Sequence, residues 1–150
     1  MDTVTYPHGG VERRLNEMFV AVRLRIDEHK DLAERLDAPW TPGLVFLDVD
    51  GRVAYRAQGY FPPEEMEHLL HVGRGMVDFT RGRWEEALGQ FAKAADDPER
   101  TTEQAEALYW KGACQIKTGD KEGVKASWGR LQKEFPDTVW AKKASVVRAA

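Results

Sequence analysis

The stretch LVFLDVDGRVAYRAQG, residues 44 to 59, constrains the fold more than any other part of the chain. In the strand read over 44–48, Leu44 to Leu47 are apolar at successive positions, the pattern of a strand covered on both faces. Asp50-Gly51 is a pair that accepts the positive φ of a tight hairpin turn. Residues 52–59 follow at once, with Val53 and Tyr55 alternating against Arg52, Ala54 and Arg56. Two antiparallel strands are predicted here. Pro62 and Pro63, with Glu64 and Glu65 in the first turn, then open a helix.

The turn also raises a chemical question. An apolar strand ending in Asp48-Val49-Asp50 resembles the nucleophile loop of the haloacid dehalogenase superfamily, in which one Asp attacks a phosphoryl group and the next serves as acid/base beside Mg²⁺. Such a site needs a Lys and further carboxylates from later parallel strands. Here the next strand begins at Arg52, and the chain beyond residue 62 reads as helical. The segment is therefore read as a hairpin turn. It is not a calcium loop either, because the spaced ligands and terminal Glu of an EF-hand do not follow.

Upstream, Val11, Leu15 and Met18 fall at helical spacing after a Gly9-Gly10 turn, which predicts a helix over 11–18. FVAVRLRI, 19–26, switches to period two, with Val20, Val22, Leu24 and Ile26 on one face, and predicts a strand. Asp27 can cap a helix over 28–36 whose buried stripe is Leu32, Ala33 and Leu36. The predicted order is helix, strand, helix, strand, strand, helix.

From Gly73 onward a repeat replaces the strand signal. A shift of 37 residues aligns Gly75 with Gly112, Phe79 with Ile116, Gly82 with Gly119 and Phe91 with Trp128. Small meets small and large meets large, which predicts a duplicated helical hairpin. Gly75 and Gly112 would let two helices approach closely, Gly82 and Gly119 would make the turns, and Phe91 and Trp128 would fill the space between. A fifth helix over 139–150 is expected to cover the open end, with Trp140 and Ala144 on one face. The order Gly75, Gly82, Trp84, Ala87, Phe91, Ala94 resembles the tetratricopeptide pattern; the other unit offers Gly112, Gly119, Trp128 and Pro136. Lys121 and Val124 depart from it, and the period exceeds the usual length of about 34.

The domain reading is thus 1–72, α/β, followed by 73–150, all-α tetratricopeptide-like helical hairpins with a capping helix. The helix from Pro63 is expected to run towards Gly73 and stack on the first repeat helix. Leu69, Leu70, Val72 and Met76 would then form a shared interface.

Composition excludes several function classes. A net charge of -3, with both signs interspersed, leaves no electrostatic footprint for nucleic acid. No apolar run approaches the roughly 18 residues that span a membrane, and the N-terminus lacks the basic start and apolar core of a signal peptide. A cytoplasmic location is the expectation. The single cysteine, Cys114, allows neither an internal disulfide nor a Cys-x-x-Cys pair in this sequence.

The stretch PWTPGLVFLDVDGRVAYRAQGYFPPEE, with the elements before it, is similar to the thioredoxin fold after its first strand. The resemblance covers roughly residues 1–72. It implies that Pro42 is the cis proline facing the redox cysteines, and that Thr41 presents backbone groups to a peptide or thiol substrate. The family's first strand and Cys-x-x-Cys are not in this sequence, so the fold is read as an incomplete thioredoxin-like unit. MDTVTYP is similar to the segment just downstream of the second cysteine in bacterial thioredoxin-like proteins with helical-repeat tails. Two outcomes are open. Either 19–26 and 44–48 pair directly through a right-handed crossover, or Met1 is internal to a longer protein.

Trp40, Thr41 and Pro42 are the candidate partner-binding residues; as a bulky aromatic in a loop, Trp40 suits either a ligand-facing edge or a plug in the core. No catalytic, cofactor-binding or metal-binding residue is expected. His68 and His71 stand three apart on a helix with no Cys or His cluster nearby, so a surface or domain-boundary role is preferred to a metal site. Cys114 is read as an inert, partly buried thiol, and Trp84, Trp110 and Trp128 as core. The function expected is a non-catalytic interaction module, with a protein or peptide partner held by the repeats and the Trp40–Pro42 loop, and homodimerisation possible. The alternative is the C-terminal portion of a thiol-disulfide oxidoreductase whose Cys-x-x-Cys lies upstream of Met1.

Overall fold

Helix α3, Pro63–Thr80, runs through the middle of the molecule and is buried on nearly every side. The computed structural model describes residues 1–145. Pro63 occupies the first turn of α3 beside Glu64 and Glu65. A helix apolar on more than one stripe needs neighbours on more than one side. α3 has them. Met66, Leu69, Leu70 and Val77 join Val11 and Phe46 in one core cluster, while Val72 and Met76 join Phe91, Leu108, Trp128 and Leu131 in another.

This corrects one expectation. No separate helix ends near Gly73: α3 is continuous across that position, so the last helix of the first half is also the first helix of the repeat. The proposed contacts through Leu69, Leu70, Val72 and Met76 exist as opposite faces of one rod rather than as a stack of two.

The N-terminal side is built from α1, Gly9–Met18; α2, Lys30–Arg35; and a two-stranded antiparallel sheet of β1, Gly43–Leu47, and β2, Val53–Gln58. Gly9 and Gly10 lie inside α1 rather than in a turn before it. Gly51 takes φ 76° at the hairpin. Asp48 stabilises that turn, its carboxylate accepting from the N–H groups of Asp50 and Arg52 at 2.9 Å each. Those backbone bonds, foremost the one from Arg52, hold its pKa below the usual carboxylate value. The register shifts between Phe46 and Leu47, so Leu47 faces Val53.

Three expectations fail on this side. Residues 19–26 form no strand, and Val20, Val22 and Leu24 point to solvent, Val20 at 97% exposure. A strand needs the backbone of a neighbour, and none of the described residues offers one. The crossover pairing of 19–26 with β1 is therefore absent. β1 is an edge strand rather than a central one, and it buries only Phe46. Helix α2 is short, its cap is His29 rather than Asp27, and Leu32, Ala33 and Leu36 are only half-buried.

The C-terminal side follows the sequence pattern closely. α4, Trp84–Ala95; α5, Glu103–Thr118; α6, Lys121–Glu134; and α7, Val139–Ser145, pack each on the helix before it, and α4 and α5 also contact α3. A Cβ at Gly75 would lie 2.6 Å from the Phe91 ring, and one at Gly112 would collide with the Trp128 indole. Only glycine permits these close approaches. Gly82 and Gly119 adopt φ 75° and 79° at the turns. Asp120 caps α6 by accepting from the Gly123 N–H at 2.9 Å. Trp140 packs on Tyr109 and Trp110, and Ala144 is buried, so α7 lies on the preceding hairpin as expected. The predicted helix beyond Ser145 falls outside the described residues.

Candidate interaction site

The Trp40–Thr41–Pro42 loop leads straight into β1. Trp40 is 71% exposed, and the Thr41–Pro42 peptide is cis. The Gly59 N–H donates to the Pro42 carbonyl at 2.9 Å, which makes 42/59 a hydrogen-bonded pair of the ladder. By two-residue alternation 44/57 and 46/55 are bonded pairs as well. Gly43, Val45 and Leu47 therefore aim their N–H and C=O groups at the opposite edge. Among the described residues nothing bonds them there.

Apolar groups cluster in sequence around that edge. Trp40, Leu47 and Val49 are exposed, as are Val20, Val22 and Leu24 of the strand-patterned segment. Phe19, at the head of that segment, lies edge-on to Phe46 of β1 with ring centroids 5.4 Å apart.

Where the sheet meets the helical hairpins, a cavity of about 300 Å³ is lined by Tyr55, Phe61, Leu69, Glu103, Glu106 and Trp140, among others. The Tyr55 hydroxyl donates to Glu106 Oε2 at 2.7 Å, and the Trp110 indole donates to Oε1 at 3.3 Å. Burial pushes the Glu106 carboxyl and the Tyr55 phenol upward. The strand thus reaches into the face of α3, α5 and α7 and ties the two sides together.

Other candidates resolve into structure. Asp48 and Asp50 both pair with Arg81 at the end of α3, at 3.0 and 2.8 Å. His68 and His71 are buried, contrary to a surface role, and lie where the two sides meet. His68 Nδ1 is 2.6 Å from the Thr101 hydroxyl, and its Nε2 is 3.5 Å from Asp97. Hydroxyl, imidazole and carboxylate stand in the order of a nucleophilic triad. Yet Thr101 and His68 are buried, and neither lines the cavity beside Tyr55. The trio fastens α3 to the loop before α5. Cys114 has no exposed surface, and burial pushes its thiol up to about 12, so it carries almost no thiolate near neutral pH. Among the described residues no three His, Cys, Asp or Glu side chains are placed to hold a metal ion, and no helix is long and apolar enough to cross a membrane.

Sequence reasoning singled out Trp40, Thr41 and Pro42 but missed the unbonded β1 edge beside them, and Tyr55 and Glu106. The bond between those two residues spans 51 positions, and no local pattern reports such a pair. The burial of His68 and His71 had a signal: apolar residues surround them on several faces of α3.

A family model described as a thioredoxin-like domain matches residues 2–73. Over those residues the chain is similar to that domain. The match closes seven residues before α3 does, so this domain and the hairpins share their central helix. No curated protein and no solved structure compared with the chain matches it.

Proposed function

We propose that the chain is a thioredoxin-like interaction module that takes an extended peptide segment of a partner protein at the Trp40–Thr41–Pro42 loop and the adjoining edge of β1. The observation that carries this is the edge itself. Gly43, Val45 and Leu47 present strand-spaced donors and acceptors beside an exposed indole. Unbonded edges of this kind recruit extended segments, with the backbone supplying affinity and an aromatic anchor adding selectivity. The tetratricopeptide-like reading of the hairpins belongs to the same proposal. The Gly75–Phe91 and Gly112–Trp128 contacts support it, and the face that Tyr55 occupies in part would contribute a second contact.

Selection of linear peptides from a phage-displayed library against the whole chain tests this. Trp40→Ala is expected to weaken selected peptides about tenfold or more. Val45→Pro removes a donor from the open edge while leaving the β1–β2 ladder intact, and is expected to abolish binding. Peptides indifferent to both changes defeat the reading.

A second reading has support from the family match and the position of the Thr41–Pro42 loop: a thiol-disulfide oxidoreductase whose Cys-x-x-Cys lies upstream of Met1. The intact mass and N-terminal sequence of the protein from its source cells, with a disulfide-reduction assay, separate the two. Turnover by the chain starting at Met1 that survives Cys114→Ser would sink the non-catalytic reading.

A further inference from the structure

Helix α1 is tied to α3 by Arg74, which donates to the Met18 carbonyl at 3.3 Å, and to both α3 and α4 through one imidazole ring. Arg14 of α1 donates from Nε to His71 Nε2 at 3.1 Å, so that nitrogen carries no proton. His71 Nδ1 then bears the hydrogen and donates to Gln90 Oε1 of α4 at 2.9 Å. One neutral ring therefore joins α1, α3 and α4. Arg14 also pairs with Glu67 at 2.6 Å. Beneath these bonds, Val11 of α1 is fully buried in the cluster with Met66, Leu69 and Leu70.

A proton on Nε2 would remove the acceptor and set an imidazolium against a guanidinium. The charges around the ring are known from each side. Arg14 faces it from α1, Lys93 from α4 and His68 from α3, and all three disfavour a positive ring. Glu67, one turn back on α3, is the nearby negative group, already engaged by Arg14, with His8 Nδ1 at 3.4 Å. Burial, the largest cause, together with Arg14, Lys93 and His68, lowers the His71 pKa below its ordinary 6.5.

We propose that α1 is a pH-gated cover: proton uptake by His71 releases α1 from α3 and α4 and uncovers the apolar face of α3. The sign follows from the depressed pKa. Docking is fully favoured above the ordinary imidazole value and is lost as pH falls through the lowered one. α1 ends at Phe19, whose ring rests on Phe46, so release also clears the approach to β1. The gate does not depend on the peptide-binding reading.

Hydrogen exchange on the whole chain tests it, with protection normalised to the intrinsic rate at each pH. Between about pH 7.5 and 5, protection of residues 10–18 is expected to fall about tenfold or more, while α4 to α6 stay protected. His71→Gln keeps an acceptor for Arg14 and does not titrate, so its acid-linked loss should vanish. Should that variant fail to fold, Arg14→Gln serves instead: α1 should then be weakly protected at every pH, without the acid-linked step. A loss that persists unchanged in the variant, no loss in the parent, or equal loss throughout α4 to α6 overturns the proposal.

Discussion

Residues 19–26 and residues 84–134 carry equally clear periodic patterns, yet only the second set folds as its pattern predicts. FVAVRLRI alternates as a strand should, yet among the described residues it finds no strand partner, and Val20, Val22 and Leu24 are exposed. The helical repeat places Gly75 under Phe91 and Gly112 under Trp128, as its spacing implies. The difference lies in where the hydrogen bonds come from. A helix satisfies its backbone within its own segment, whereas a strand needs a neighbour's. A period-two pattern therefore states a requirement, and a helical pattern comes close to stating an outcome.

The largest expected effect tests whether the two regions are one body. Leu70 is 1% exposed on α3, where the thioredoxin-like domain meets the hairpins. Leu70→Asp places a carboxylate there without a partner and should cost about 3–5 kcal/mol. Far-UV circular dichroism and Trp fluorescence should lose their signals in one shared urea transition. Two separate transitions would break the comparison, since each region would then stand alone.

Next comes a change confined to the repeat. Gly112→Leu forces a side chain against the Trp128 ring and should cost about 2–3 kcal/mol. A stability within 0.5 kcal/mol of the parent, read from the same urea curves, would mean that the helices have room to separate and that the glycine pairing is incidental.

The smallest effect belongs to the unpaired segment. Val22→Ser should change stability by less than about 0.5 kcal/mol, because the side chain is exposed. A loss above about 1 kcal/mol would show that 19–26 is packed in solution and would remove the contrast with the repeat.

Legibility of the candidate site divides the same way. Trp40, Thr41 and Pro42 could be singled out because loop chemistry and the strand after it are local in sequence. Their setting could not. Whether β1 is a central or an edge strand depends on which segments pair with it, and the sequence of β1 is apolar enough for either. Arg14 and His71 were invisible for a related reason: an ion-tethered ring 57 residues away leaves no periodic trace. The merger of the helix from Pro63 with the first repeat helix was nearly legible. No Gly-Pro or polar break interrupts residues 63–80, and Gly73 and Gly75 are packing positions against Phe46 and Phe91 rather than a stop.

By itself, then, the sequence determined the helical hairpins, the Asp-Gly turn and the inertness of a lone cysteine within an apolar helix. Each rests on bonds, sterics or burial among near neighbours. Tertiary structure alone decided that α3 serves both halves, that among the described residues 19–26 and the outer edge of β1 find no strand partner, and that His71 bridges α1 and α4. These depend on which distant surfaces meet, and backbone donors, buried charges and apolar faces acquire their energies only once that meeting is made.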